Sequence, residues 1–180
     1  MFAHDTEWGL TAAAALVNTA VRDEERLPDI AALDRWLDVN DYSGRRDLDE
    51  AELRQVRALR PRLRALWSDG DVDRVAGAVN ELLAQAEARP FLSRHGGWPW
   101  HLHLTPSEAP LASRITAEAA MAFADLIRVD ALDRLGRCAA EDCDAVLVDL
   151  TRNRSRRFCD TGNCGNRQHV KAYRARRAAG

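Results

Sequence analysis

Cys138, Cys143, Cys159 and Cys164 carry the one constellation in this 180-residue sequence whose residue types and spacing point to chemistry. They read C-x4-C-x15-C-x4-C. Two short-spaced thiol pairs with a hairpin-length insert suit a tetrahedral ion, because a short chain can wrap each pair around one soft metal. Four sulfur ligands leave no position for a water, so the metal is expected to hold structure and not to catalyse. One structural zinc per chain follows, the staple of a module too small for its own core. Two disulfides fit the even count but not a reducing compartment, and an iron–sulfur cluster fits the four thiols but not the spacing.

Cations gather around these thiols. Residues 150 to 180 hold nine basic side chains and one acid, Asp160, for a net +8, although the whole chain is only −2. Residues 1 to 149 are therefore −10. Arg152, Arg154, Arg156 and Arg157 crowd the insert between the cysteine pairs. Arg167, Lys171 and Arg174 fall at i, i+4 and i+7 of a helix opened by Cys164, with Arg176 and Arg177 beyond them. Such a cationic module is expected to bind nucleic acid, where Arg and Lys neutralise phosphates and a helix can enter a groove. A zinc centre with four thiolates carries −2, so part of the +8 answers that charge and about +6 remains.

The elements that must position these groups read as mainly α. Residues 8–22 are an Ala-rich helix, Asp29 caps a second, and a third runs from about Asp49 with Pro61 expected to end or kink it. A fourth spans 72–87. Residues 90–105 read as a β-hairpin turning at His95-Gly96-Gly97. A last body helix is expected over 112–135 with Gly136 as its cap. In the tail, Ala145 to Leu150 is strand-like and Arg156–Phe158 is expected to return beside it, while Val170 and Tyr173 pack on that hairpin. The result is a helical domain over 1–135 with one β-hairpin, and a treble-clef-like four-cysteine finger over 136–180.

Several classes are excluded. No apolar run approaches the roughly 18 to 20 residues that cross a bilayer, and Leu10–Val17 lacks the basic flank of a secretory signal. A cytoplasmic protein without membrane attachment is expected. No nucleophile–base pair, phosphate loop or dinucleotide fingerprint is present, so no catalytic residue is assigned and an enzyme is not expected. His101 and His103 alternate on a strand without an evident third ligand and are expected to face solvent. Trp98 and Trp100 are expected in the core. Asn18 and Thr19, polar inside an apolar helix, are the body's best candidates for holding a ligand, although a structural role is favoured.

The run Cys159-Asp160-Thr161-Gly162-Asn163-Cys164-Gly165-Asn166-Arg167, preceded by Arg152 to Phe158, resembles the bacterial CGNR zinc-finger family, whose name is spelled by Cys164 to Arg167. Ala15-Leu16-Val17-Asn18-Thr19 and Leu33-Asp34-Arg35-Trp36-Leu37 resemble the ABATE domain that precedes this finger, so the likeness covers nearly the whole chain. It implies a stress-induced transcriptional regulator in which the finger binds double-stranded DNA and the body senses or assembles. In that reading Gly165 lets the backbone pass close to the metal, and Asn166 and Arg167 donate to thiolates or to nucleic acid. A single finger offers little area for specificity, which favours a homodimer through the helical body. The effector is not named by the sequence. An RNA-binding module, or a module whose basic tail grips an acidic partner, stand as alternatives.

Overall fold

The computed structural model describes residues 2–67, 71–94 and 100–178. Among them are six α-helices: α1 His4–Val17, α2 Ile30–Val39, α3 Glu50–Arg64, α4 Val72–Gln85, α5 Leu111–Arg128 and α6 Cys164–Ala178. Three two-stranded antiparallel pairs join them: β1 Ala20–Val21 with β2 Glu24–Glu25, β3 Phe91–Ser93 with β4 His101–His103, and β5 Leu135–Arg137 with β6 Val146–Val148. The fold is mainly α, with a small four-cysteine unit at its C-terminal end.

Local chemistry sets the helix starts. Asp29, Asp49 and Asp71 each accept from the backbone N–H three residues on, at 2.7, 2.8 and 3.0 Å, and so satisfy a donor that the first turn cannot. Helix α3 runs through Pro61, which cannot donate to the carbonyl of Arg57. The Arg60 side chain takes that place, its Nε donating to Arg57 O at 3.2 Å, and the chain then tightens into a 3-10 turn over Ala65–Trp67. Gly9 is required where α1 crosses α5. A Cβ there would lie 3.0 Å from Ala122 Cβ and 3.1 Å from Glu118 O.

The core lies between α1, α3, α4 and α5. Leu10, Leu16, Leu33, Leu37, Val56, Leu63, Leu66, Ile115 and Phe123 are fully enclosed there, with Trp67 edge-on to Phe123 at 4.9 Å. Val146 and Val148 of β6 belong to this same core. The C-terminal unit is thus rooted in the body by its strand.

Four sequence expectations change. Helix α1 ends at Val17, and the chain then makes the β1–β2 turn through Arg22 and Asp23, both left-handed at φ 55° and 58°. The hydrophobic run after 112 stops being helical at Arg128, and Gly136 lies in strand β5 against Leu147 instead of capping a helix. Strand β6 pairs with β5, because the register Leu135↔Val148 places those residues against the body core. Arg156–Phe158 therefore forms no strand, although Arg157 O still accepts from Ala139 N at 2.8 Å. The β3–β4 pairing agrees with the expected hairpin, while its turn at 95–97, with Trp98, lies outside the described residues.

Candidate metal centre and the basic finger

Strand β5 delivers Cys138, whose N–H continues the pairing by donating to Ala145 O at 2.8 Å. The chain then turns back on itself, Cys143 N donating to Ala140 O at 3.0 Å. Cys159 follows the arginine-rich loop, and Cys164 is the first residue of α6. The four Sγ atoms all lie within 4.8 Å of one another, with Cys143–Cys159 at 3.7 Å and Cys159–Cys164 at 3.6 Å. Four sulfurs about 2.3 Å from one tetrahedral ion would be about 3.8 Å apart, so the donor set fits such an ion in both chemistry and size.

The surroundings answer negative charge. Burial pushes the Cys159 thiol up to about 12, so a thiolate there depends on a nearby cation. Cys159 N–H points at Cys138 Sγ at 3.5 Å. Two guanidinium groups converge on Cys164 Sγ: Arg167 from the finger at 3.5 Å and Arg22 from the body at 3.0 Å. Arg167 also makes a bidentate pair with Asp142 at 2.6 and 2.9 Å, which holds that carboxyl below its usual range and the guanidinium above its own. Arg22 had no signal in the sequence. It is one arginine in a short turn, brought to the thiols only by the β1–β2 hairpin. Gly162 makes the approach possible, since a Cβ there would meet the Arg22 guanidinium at 3.0 to 3.1 Å. A Cβ at Gly165 would meet the Phe158 ring at 3.6 to 3.8 Å, an ordinary contact distance.

The basic residues split into two groups. Arg154 pairs with Asp133, Arg156 with Asp160, Arg167 with Asp142, and Lys171 with Glu141. Arg152, Arg157, Arg174, Arg176 and Arg177 are exposed and make no ion pair among the described residues. Asn166 is exposed as well. Asp149 organises the arginine loop: its Oδ1 accepts from Thr151 N and Oγ1, and its Oδ2 from Arg156 N at 2.7 Å. Burial works against its charge, but these hydrogen bonds outweigh it and lower its pKa. Val170 and Tyr173 do not pack on the hairpin, being 39% and 54% exposed, and every side chain from His169 to Arg177 faces solvent.

Body and finger meet through polar bonds. The Asn18 side chain donates to Val146 O at 2.8 Å and accepts from Val146 N at 2.9 Å. Thr19 Oγ1 donates to Leu16 O and accepts from Arg60. Trp67 Nε1 donates to Leu147 O at 2.9 Å, Arg64 to Asp144 O at 2.7 Å and Arg26 to Thr161 O at 3.0 Å. Elsewhere, His101 is 8% exposed and contacts His103, so the pair does not face solvent as expected, and Trp100 lies at the surface, 63% exposed, under Arg94 instead of in the core.

Residues 10–130 match the ABATE family model, described as "Putative stress-induced transcription regulator". Residues 134–177 match the CGNR zinc finger. No curated protein matches the chain. No helix among the described residues is long and apolar enough to cross a membrane.

Proposed function

The chain belongs to the ABATE family, and from that premise we propose that it is a zinc-dependent, DNA-binding transcriptional regulator of the cytoplasm, not an enzyme. Residues 1–135 form its sensing or assembling body and residues 136–180 its finger. Cys138, Cys143, Cys159 and Cys164 hold one zinc ion, which when bound cross-links the finger. Arg22 and Arg167 balance the −2 charge of the zinc–thiolate centre.

One observation carries the reading: a basic helix exposed from His169 to Arg177 stands on a four-cysteine centre, with five arginines engaged by no carboxylate among the described residues. Arg152, Arg157, Arg174, Arg176 and Arg177 contact phosphates first. Arg154, Arg156, Arg167 and Lys171 are already paired, and their release costs part of what a phosphate contact returns. Asn166, exposed beside the helix start, is placed to contact a base or the backbone. The acidic body, repelled by DNA, leaves the finger as the contact surface. A dimer through the body supplies the second half-site.

Selection from a random duplex library tests specificity, and an enriched palindrome is the expected outcome. Neutralising about five phosphates predicts a log–log salt slope near −4.5. R174A should reduce that slope by about 0.9, and K171A by less. Binding that is flat with salt, or no enriched sequence, overturns the reading. Exposed Tyr173 favours one alternative, a stacking platform for single-stranded RNA. Competition in which RNA displaces duplex DNA, and in which Y173A removes that advantage, would select it.

A further inference from the structure

A cavity of about 770 Å³ opens between the first turns of α1, the end of α2, the β3–β4 hairpin and α5. Its volume is that of sites for small organic molecules, and no finger residue among the described ones lines it. Trp8, Tyr42 and Phe91 form aromatic walls. Two hydroxyls in the lining have no hydrogen-bond partner among the described residues. Tyr42 is 4% and Thr105 5% exposed, yet no hydrogen bond among the described residues uses Tyr42 Oη or Thr105 Oγ1. Neither oxygen is among the fully enclosed atoms that lack a partner, so both open onto the cavity, where a polar occupant can reach them.

The charge of the lining says which kind. Four carboxylates (Asp5, Asp38, Asp41 and Glu118) face two guanidinium groups, those of Arg46 and Arg114. Both guanidinium groups are already engaged. Arg114 donates to the carbonyls of Ala109, Ser43 and Arg45, and Arg46 to Asp34, Asp38 and the Tyr42 carbonyl. Asp5 accepts only backbone N–H groups, from Thr6 and Leu102. Asp5, Asp41 and Glu118 thus have no Arg or Lys partner among the described residues. Glu118, 12% exposed at its side chain, accepts from His103 Nδ1 at 3.3 Å. His103 Nε2 in turn lies 3.1 Å from His101 Nε2, so the two rings share one hydrogen bond. The histidines supply only two metal ligands, whereas the cysteine cluster is the one group of three or more among the described residues.

We propose that this cavity binds a small organic cation, an amine or guanidine carried on an apolar body. Glu118 and Asp5 attract the charge, the aromatic walls enclose the body and favour the cation, and the Tyr42 and Thr105 oxygens accept its N–H groups. An anion would meet a net negative lining whose guanidinium groups are occupied.

Three probes matched in shape test this on the full-length, zinc-loaded chain without DNA: tyramine, its neutral alcohol tyrosol, and 4-hydroxyphenylacetate. Titration calorimetry should show saturable binding of tyramine at one per chain, with the other two weaker by about ten-fold or more. E118Q should weaken tyramine about ten-fold, and Y42F a few-fold, with zinc content and melting midpoint kept as checks on folding. If E118Q does not fold, the charge series on the unaltered chain decides. Equal binding of all three, tighter binding of the acid, or no saturable binding of either tyramine or agmatine overturns the proposal. Because no DNA is present, a failure of the regulator reading leaves this result unaffected.

Discussion

The body and the finger are stabilised by different means, although one strand pair joins them. In the body, leucines from α1, α2 and α3, together with Ile115 and Phe123, exclude water over a continuous core. The finger has only a small cluster of Cys138, Ala140, Ala145, Cys159 and Cys164, and its one large aliphatic side chain, Val21, comes from the body. Apolar burial scales with area, so the body can hold itself together. The finger has little apolar burial; polar contacts from the body at Asn18, Trp67, Arg64 and Arg22 hold it, and the proposed zinc ion would add ligand bonds at the thiols. A defect in one region should therefore be felt in the other only through that seam.

The largest expected break is C159S. Structural zinc contributes about 10 to 16 kcal/mol in comparable small modules, so this change should abolish stoichiometric zinc and unfold residues 150–178, while the body keeps most of its helical signal. Loss of the body together with the finger would show that the core needs β6 more than its apolar content implies. F123A should do the reverse. It should lower unfolding stability by about 3 to 5 kcal/mol, measured by denaturant, with one zinc per chain still bound under native conditions.

Substitutions at the seam give intermediate effects. R22Q removes a donor to Cys164 Sγ, and chelator competition should show metal affinity reduced by about 10- to 100-fold, as for other groups that support metal ligands. An unchanged affinity would mean that Arg167 balances the thiolates alone. N18A leaves Val146 N and O without partners and should cost about 1 to 3 kcal/mol, read as faster hydrogen exchange at Val146. The smallest effect concerns Asp149. Its folded pKa is depressed, so its contribution is present at neutral pH and disappears as pH falls through a value below the ordinary 3.8. Exchange at the Arg156 amide should therefore rise in that acid range in the wild type and be raised already at pH 7 in D149N.

Much of this was legible in the chain itself. The cysteine spacing brought out all four members of the cluster, because ligands that share a short loop are close in sequence. The Asp29 cap was equally readable, since capping acts over three residues. The pairing of β6 was not. Its choice of Leu135–Arg137 over Arg156–Phe158 depends on which partner also reaches the body core, a contact made across more than a hundred residues with Asn18. The charge count failed for a related reason. Nine cations in residues 150–180 look uniformly available, but Asp133, Asp142 and Glu141 lie just before that window and Asp160 within it, and they pair with four of the nine.

Composition and spacing by themselves determined the mainly helical body, the four-thiol cluster and the basic C-terminal helix, because each follows from local periodicity or from ligands near one another in the chain. Tertiary structure alone decided that Arg22 reaches the thiols, that α6 stands exposed, and that Tyr42, Thr105 and Glu118 share one cavity. Those facts depend on which faces of distant elements meet, and that is settled by packing of the whole chain and not by any segment of it.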